Sequence, residues 1–101
     1  MSAHTKLHSK ADFDKALETQ GRYVLIHAYS GSVLDKAEEF AAKYKSNCDA
    51  YAVDTSEEPK VMEYFGITQT PAALLYKDGQ QVKKVEGRGS GIEDIESLLK
   101  Q

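Results

Sequence analysis

Apolar residues follow two different spacings in the first half of the chain, and these spacings predict a strand between two helices. The run YVLIHAY at 23–29 is apolar, aromatic and β-branched without clean alternation, which is typical of a central strand covered on both faces. Helical spacing connects Phe13, Ala16 and Leu17 before this strand, and Val33, Ala37, Phe40, Ala41 and Tyr44 after it. We expect Ser9 or Asp12 to cap the first helix and Ser32 to cap the second.

The second half predicts a further strand at 49–54, a short helix, a hairpin and a final helix. The short helix presents Val61, Met62 and Phe65, and the strands at 72–76 and 80–87 flank the turn sequence KDG. The final helix, over 90–100, begins with Ser90 and Glu93 at capping-box spacing. Its predicted buried stripe consists of Ile92, Ile95, Leu98 and Leu99.

With a short edge strand at 5–8, the element order becomes βαβαβαββα. Strands joined through helices are expected to run parallel, whereas the two hairpin strands run antiparallel. The sequence therefore predicts an α/β fold with a mixed central sheet of about five strands and helices on both faces. A length of 101 residues allows one core, so we expect a single domain over 1–101.

Composition excludes several classes of function. A net charge of −3 without clustered Lys and Arg gives no reason to expect a nucleic-acid partner. No apolar run is long enough for a membrane span or a signal peptide, so we expect no membrane partner and a cytoplasmic location. A lone cysteine, Cys48, excludes an intrachain disulfide and a cysteine zinc cluster. His4, His8 and His27 lack metal-ligand spacing, and His4 lies in a terminal segment expected to fray, so we predict no metal and no cofactor.

The stretch FGITQTPAALLYKDGQQVKKVEGRGS resembles the second half of a thioredoxin. The family's characteristic positions are occupied here by Gly66, Ile67, Thr70, Pro71, Gly79 and Gly87. FDKAL, FAAKY and YAVDTSE resemble the first helix, the end of the second helix and the third strand, so the resemblance covers essentially the whole chain. It implies the thioredoxin fold and a cis peptide bond between Thr70 and Pro71, but a fold alone does not imply an activity.

The family's redox motif, W-C-G-P-C, is missing from the segment HAYSGSVLDK. If Tyr29 is matched to the family's tryptophan, Ser30 and Val33 replace the two cysteines. If the strand and FAAKY are both held in place, the segment is shorter by more than a helical turn, and His27 falls where the family has a buried aspartate. Both alignments stay open, and neither contains a dithiol.

The family's buried lysine is also missing, because Ala52 stands where the third strand normally carries it. That lysine and its partner aspartate tune the proton affinity of the redox cysteine. Thiol–disulfide exchange needs one thiolate to attack and a second thiol to resolve, and a serine hydroxyl cannot replace them. The resemblance therefore implies a thioredoxin-fold protein without dithiol–disulfide oxidoreductase activity and without catalytic residues.

What the chain retains is the groove beside the proline. In the family, the proline loop pairs its backbone with an extended substrate, and the loop after the fifth strand lines the other side. By this resemblance we expect a protein or peptide partner to bind a surface formed by Tyr29, Ser30, Gly31, Ser32, Thr70, Pro71, Arg88 and Gly89. A homodimer is a further expectation, and Pro71 serving only the architecture of the turn is the alternative to binding.

A second hypothesis is an enzyme, acting either through Cys48 or by non-thiol chemistry near His27 and Ser30. Cys48 should lie near the amino end of its strand, away from the proline loop, which favours a small buried hydrophobe. His27 and Ser30, three positions apart along a strand, should point to opposite faces. Ser30, Gly31 and Ser32 are better explained as a turn followed by a helix cap.

Overall fold

The computed structural model describes residues 4–31, 35–87 and 91–100. In chain order the elements are β1 (Thr5–Lys6), α1 (Lys10–Leu17), β2 (Tyr23–Tyr29), α2 (Asp35–Lys43), β3 (Cys48–Asp54), α3 (Lys60–Phe65), β4 (Ala72–Lys77), β5 (Gln80–Glu86) and α4 (Gly91–Leu99). This is the predicted order, and β2 has the predicted bounds.

The five strands form one sheet in the order β1-β3-β2-β4-β5. β1 and β2 both run parallel to β3, whereas β4 runs antiparallel to β2 and to β5. β2 lies at the centre, and its side chains from Val24 to Tyr29 are all buried. The predicted α/β fold with a mixed five-stranded sheet is therefore confirmed.

Apolar side chains fill the space on both faces of the sheet. On one face, Ile26 and Leu74 pack with Phe13 of α1 and Phe65 of α3. On the other face, Leu25 and Leu75 pack with Tyr44, which follows α2, and with Ile95 and Leu99 of α4. Successive strand residues point to opposite faces, so neighbours along β2 and β4 contribute to different cores. The helices thus cover both faces, as the pattern predicts.

Polar side chains fix the start of α1, and its N-cap is Ser9 rather than Asp12. The Ser9 hydroxyl accepts a hydrogen bond from the Asp12 backbone N–H at 3.2 Å. The Asp12 carboxylate reaches back and accepts from the His8 N–H at 3.0 Å. The Asp12 N–H, which the helix leaves unpaired, and the N–H of His8 just before the cap are thus both satisfied.

The predicted buried stripe of α4 is wrong at one position. Ile95 and Leu99 are buried, but Ile92 is 38% exposed. Ile92 and Leu99 share a face of the helix because they are seven residues apart, and about 10 Å separates them along its axis. The difference therefore arises along the axis: Ile95 and Leu99 pack with Leu25 and Leu75 of the sheet, whereas Ile92 in the first turn stays partly exposed.

Three predicted helix positions, Ser32, Val33 and Ser90, lie outside the described residues. In the part of the chain that the structure describes, no helix has the length and apolar character needed to cross a membrane.

Candidate functional site

The register of the sheet places the proline loop beside the end of β2. Ala28 of β2 faces Ala72 of β4, so Tyr29 and Pro71, one residue further along each antiparallel strand, are neighbours. On its other side Tyr29 faces Asp54, the last residue of β3. Asp54, Tyr29 and Pro71 therefore form a row at one end of the sheet, where ligands of open α/β sheets collect.

Pro71 is connected to the end of β5 by a backbone hydrogen bond. The Gly87 N–H donates to the Pro71 carbonyl at 2.7 Å. Gly87 has a φ of +80°, and a Cβ at this position would lie 2.9 Å from the Gln69 side chain, so glycine permits the close approach. The bond between Thr70 and Pro71 is cis, and both residues are half-buried.

The turn after β2 is exposed and is held by a carboxylate. Gly31 has a φ of +91°, and its N–H donates to Oδ1 of Asp54 at 3.2 Å. The same oxygen accepts from the Ser56 N–H at 2.9 Å and from its hydroxyl at 2.6 Å. The Ser56 side chain, and then the two backbone N–H groups, hold the pKa of Asp54 below its ordinary value. An ionised Asp54 therefore fixes the turn at Ser30 and Gly31.

Sequence reasoning missed Asp54, although the chain contains a signal for it. An aspartate whose side chain binds the backbone N–H two residues on forms an Asx-turn, and the sequence DTS at 54–56 has that spacing. The signal predicts the bond to Ser56. It does not predict the bond to Gly31, because that contact joins residues 23 positions apart.

Tyr29 supports the site from beneath instead of forming its surface. Its side chain is only 3% exposed. Its carbonyl accepts two hydrogen bonds from Thr55, at 2.7 Å from the N–H and at 3.1 Å from the hydroxyl. We therefore define the proline-loop surface as Ser30, Gly31, Thr70 and Pro71. These four residues are exposed or half-buried and lie together at this end of the sheet. The other predicted site residues, Ser32, Arg88 and Gly89, lie outside the described residues.

His27 is a buried histidine in the centre of the sheet. Its cross-strand neighbours are Ala52 and Ala73, and its ring stacks on that of Tyr29 at 6.0 Å. Its Nε2 is buried and makes no hydrogen bond within the described chain. Burial, and then the charge of His4, lower the pKa of His27 from 6.5 to about 4. Ser30 is exposed, and no hydrogen bond among the described residues joins it to His27.

His4 does not fray as predicted. Its side chain is 1% exposed, its ring lies 5.7 Å from that of His27, and its Nδ1 is 2.7 Å from the Glu38 carboxylate of α2. The prediction is wrong because it relied on position in the chain, whereas His27 and Glu38, which hold His4 in place, are distant from it in sequence. Across residues 4–31, 35–87 and 91–100, no group of three or more His, Cys, Asp or Glu side chains is placed to hold a metal ion.

Cys48 lies at the opposite end of the sheet from the proline-loop surface. It is the first residue of β3, faces Tyr23 of β2 and is buried. Burial, and then the neighbouring Asp49, raise the pKa of the thiol from 9.0 to about 11. A reactive cysteine requires the reverse shift, because the thiolate is the nucleophile.

Comparison with known proteins agrees with this architecture. Residues 4–101 match the model of the thioredoxin family. A thioredoxin from Staphylococcus aureus is 32% identical over 81 residues, which cover 76% of this chain and 78% of that protein.

Solved thioredoxin structures share the fold at lower sequence identity. The thioredoxin of Nicotiana alata superimposes with a TM-score of 0.78 at 21% identity, covering 98% of this chain and 92% of that one. The thioredoxin of Fasciola hepatica gives a TM-score of 0.77 at 20% identity, covering 95% of this chain and 97% of that one. By the match to the family model and the identity with its bacterial relative, this chain belongs to the thioredoxin family.

Proposed function

We propose that this member of the thioredoxin family binds an extended peptide or protein partner at the proline-loop surface and does not catalyse dithiol–disulfide exchange. The observation that carries the second half of this proposal is the single cysteine of the chain. Exchange needs an attacking thiolate and a resolving thiol, and one cysteine cannot supply both. Cys48 is also buried at the far end of the sheet.

Binding is supported by the way the fold presents backbone at the proline-loop surface. Ser30 and Gly31 are exposed, and the Asp54 carboxylate fixes their turn. The half-buried Thr70 and Pro71 lie beside them, and Gly87 fixes Pro71 through its carbonyl. Backbone held rigidly at the end of a sheet can pair with an extended chain. Because the site is already ordered, binding does not have to offset the loss of conformational entropy in the site.

The alternative function is an enzyme using Cys48, or His27 with Ser30. The pKa of about 11 for Cys48 leaves little thiolate at neutral pH. The unpaired, buried His27 has no hydrogen bond to a nucleophile in the described residues. Both observations favour binding over catalysis.

A reduction assay separates the two functions. The full chain is mixed with insulin, NADPH and a thioredoxin reductase, and a dithiol thioredoxin serves as the positive control. We expect no turnover above the reductase alone. Turnover would contradict the proposal, and its loss in Cys48→Ala would assign the activity to that thiol.

Binding is tested with two variants that carry the same type of substitution, Thr to Arg, at opposite ends of the sheet. Thr70→Arg places a long charged side chain on the proline-loop surface. Thr19→Arg makes the same change at a half-buried threonine beyond the carboxyl end of α1, at the opposite end of β2. In quantitative pull-downs with immobilised protein, we expect Thr70→Arg to reduce capture of the specific partners at least tenfold and Thr19→Arg to retain it. Equal capture by both variants would exclude the proline-loop surface.

The cytoplasmic location and the homodimer stay predictions. Sedimentation velocity across a hundredfold range of concentration measures the oligomeric state, and a single species of 11.2 kDa would contradict the homodimer. A tagged chain in fractionated cells gives the location.

A further inference from the structure

A pair of buried histidines lies on the sheet face that α2 and α4 cover. His27, in the centre of β2, is 8% exposed, and His4, before β1, is 7% exposed. Their ring centroids are 5.7 Å apart with the planes inclined by 36°. Nε2 of His27 is buried without a hydrogen bond in the described chain. A buried polar atom without a partner destabilises the fold, and such an exception calls for an explanation.

The surroundings of His27 oppose the addition of a proton. Its nearest titratable groups among the described residues are His4 before β1, Glu38 on α2 and Tyr29 on β2. Its neighbours on β3 and β4 are alanines, which offer neither charge nor hydrogen bond. Glu38 would favour a proton on His27, but its carboxylate is already bonded to His4 at 2.7 Å. A second positive charge beside His4 would therefore be poorly compensated.

The two ends of α2 are attached differently. In its amino-terminal half, Glu38 contacts His4 before β1 at 2.7 Å. At its carboxyl end, Lys43 and the hydroxyl of the next residue, Tyr44, both donate to Glu96 of α4. Within α2, whose nine residues are all described, Ala41 alone is fully buried, and it lies in the second half. No side chain in residues 35–39 is fully buried, so separation of these residues from the sheet exposes little apolar surface.

We propose that His4, His27 and Glu38 form an acid-sensitive latch, in which a proton taken from solvent by Nε2 of His27 releases the amino-terminal half of α2 and leaves the sheet and α4 in place. The proton converts the imidazole to an imidazolium, which then becomes hydrated. The inference goes beyond the proposed binding function and does not depend on it.

Linkage gives the size of the expected effect. The pKa of His27 is about 4 in the closed protein, and a hydrated His27 would return to the ordinary value of 6.5. The open state binds the proton more tightly, so acid favours opening, and its population should rise about twentyfold from pH 7 to pH 5. The bond between His4 and Glu38 would break in the same step.

The test combines hydrogen exchange with NMR titration of the full chain. Exchange of each amide is measured at pH 7 and pH 5 and corrected for the intrinsic pH dependence of the chemistry. We expect protection within residues 35–40 to fall about twentyfold, while β2 and β4 keep theirs. The His27 ring signals should titrate well below the ordinary histidine pKa of 6.5.

Two substitutions provide the comparison. His27→Leu removes the titrating group and should abolish the pH dependence in α2, whereas His8→Leu should leave it unchanged. His4→Gln retains a donor for Glu38 but removes the charge that helps to lower the pKa of His27 in the closed protein, so the rise in opening from pH 7 to pH 5 should be clearly smaller than twentyfold. This variant also keeps the test decisive if His27→Leu does not fold.

Three results would overturn the latch. The first is a His27 ring that titrates near pH 6.5 with α2 protection unchanged. The second is an equal loss of protection in β2 and β4, which would indicate global unfolding. The third is the same pH dependence in His27→Leu or in His4→Gln as in the parent chain.

Discussion

Burial shifts the pKa values of Cys48 and His27 in opposite directions with the same result at neutral pH. The pKa of the Cys48 thiol is raised to about 11, so the thiol stays protonated. The pKa of the His27 imidazole is lowered to about 4, so the ring stays neutral. Both shifts have desolvation as their largest cause, because a low-dielectric interior disfavours the charged form of either group. The two titratable residues among the candidate catalysts of the sequence analysis, Cys48 and His27, are therefore both uncharged in the folded protein near pH 7.

Cys48 should resist thiol reagents in the folded protein. A rise in thiol pKa from 9.0 to about 11 reduces the thiolate fraction at pH 7.5 about a hundredfold, and burial adds a steric barrier. We expect Ellman's reagent to label the native chain at least a hundredfold more slowly than the urea-unfolded chain. Comparable rates in the two states would contradict the description of Cys48 as an inert core residue.

At the scale of single residues, the sequence predicted positions better than contacts. It placed Ser30, Gly31, Thr70 and Pro71 on one surface, and the register sets the end of β2 beside the start of β4 there. That a partner binds this surface stays a prediction. It did not predict that Tyr29 is buried beneath them, that Asp54 holds the turn, or that His4 reaches Glu38. Each of these depends on residues more than twenty positions apart, and chain spacing contains no information about such pairs.

At the scale of elements, the local sequence pattern predicted the secondary structure best where an element is long and strongly apolar. β2 was predicted with its observed bounds, because a central strand must be apolar on both faces. The hairpin of β4 and β5 followed from the KDG turn. β1 was predicted over four residues and has two, Thr5 and Lys6, because it pairs only with β3 at the edge of the sheet.

The final helix offers a matched pair of isoleucines. Ile95 is fully buried against Leu75 and Leu99, whereas Ile92, one turn earlier, is 38% exposed. Ile95→Ala should reduce the free energy of unfolding by about 2–5 kcal/mol through lost burial and the cavity left behind. Ile92→Ala should reduce it by less than about 1 kcal/mol.

Urea denaturation of the two variants at pH 7 measures both values. An equal loss in the two variants would indicate that α4 packs along its whole length, as its apolar pattern alone suggests. A loss confined to Ile95→Ala would confirm that the first turn lies outside the core.

At the scale of the whole molecule, protonation of several groups in acid should lower the free energy of unfolding. The pKa of Asp54 is lowered by Ser56, that of Glu86 by the Thr68 backbone N–H, and that of Glu96 by Tyr44. The pKa of His27 is lowered by burial. In all four cases the folded state binds protons more weakly than the unfolded state, so each contribution is present at neutral pH and is lost on acidification.

The free energy of unfolding should therefore fall in two stages. Between pH 6.5 and pH 4 the decrease comes from His27 and reaches at most about 3 kcal/mol, because local opening can relieve part of it. Below pH 4.5 the carboxylates add to it. Denaturation at half-unit pH intervals measures the profile, and His27→Leu should remove the first stage alone; a first stage that persists in this variant would assign it to other groups.

The register slip in β5 has a consequence for how the protein behaves at high concentration. Leu75 faces Lys83 but Tyr76 faces Gln81, so Val82 is an extra residue that bulges out of the outer strand. Beside the bulge, Lys83 and Lys84 place two positive charges on this edge, and at the other edge β1 is only two residues long. Neither border is a straight, uncharged template on which copies could stack into fibrils. The backbone that we propose to be a binding surface at the ends of the strands is thus combined with protection along their sides.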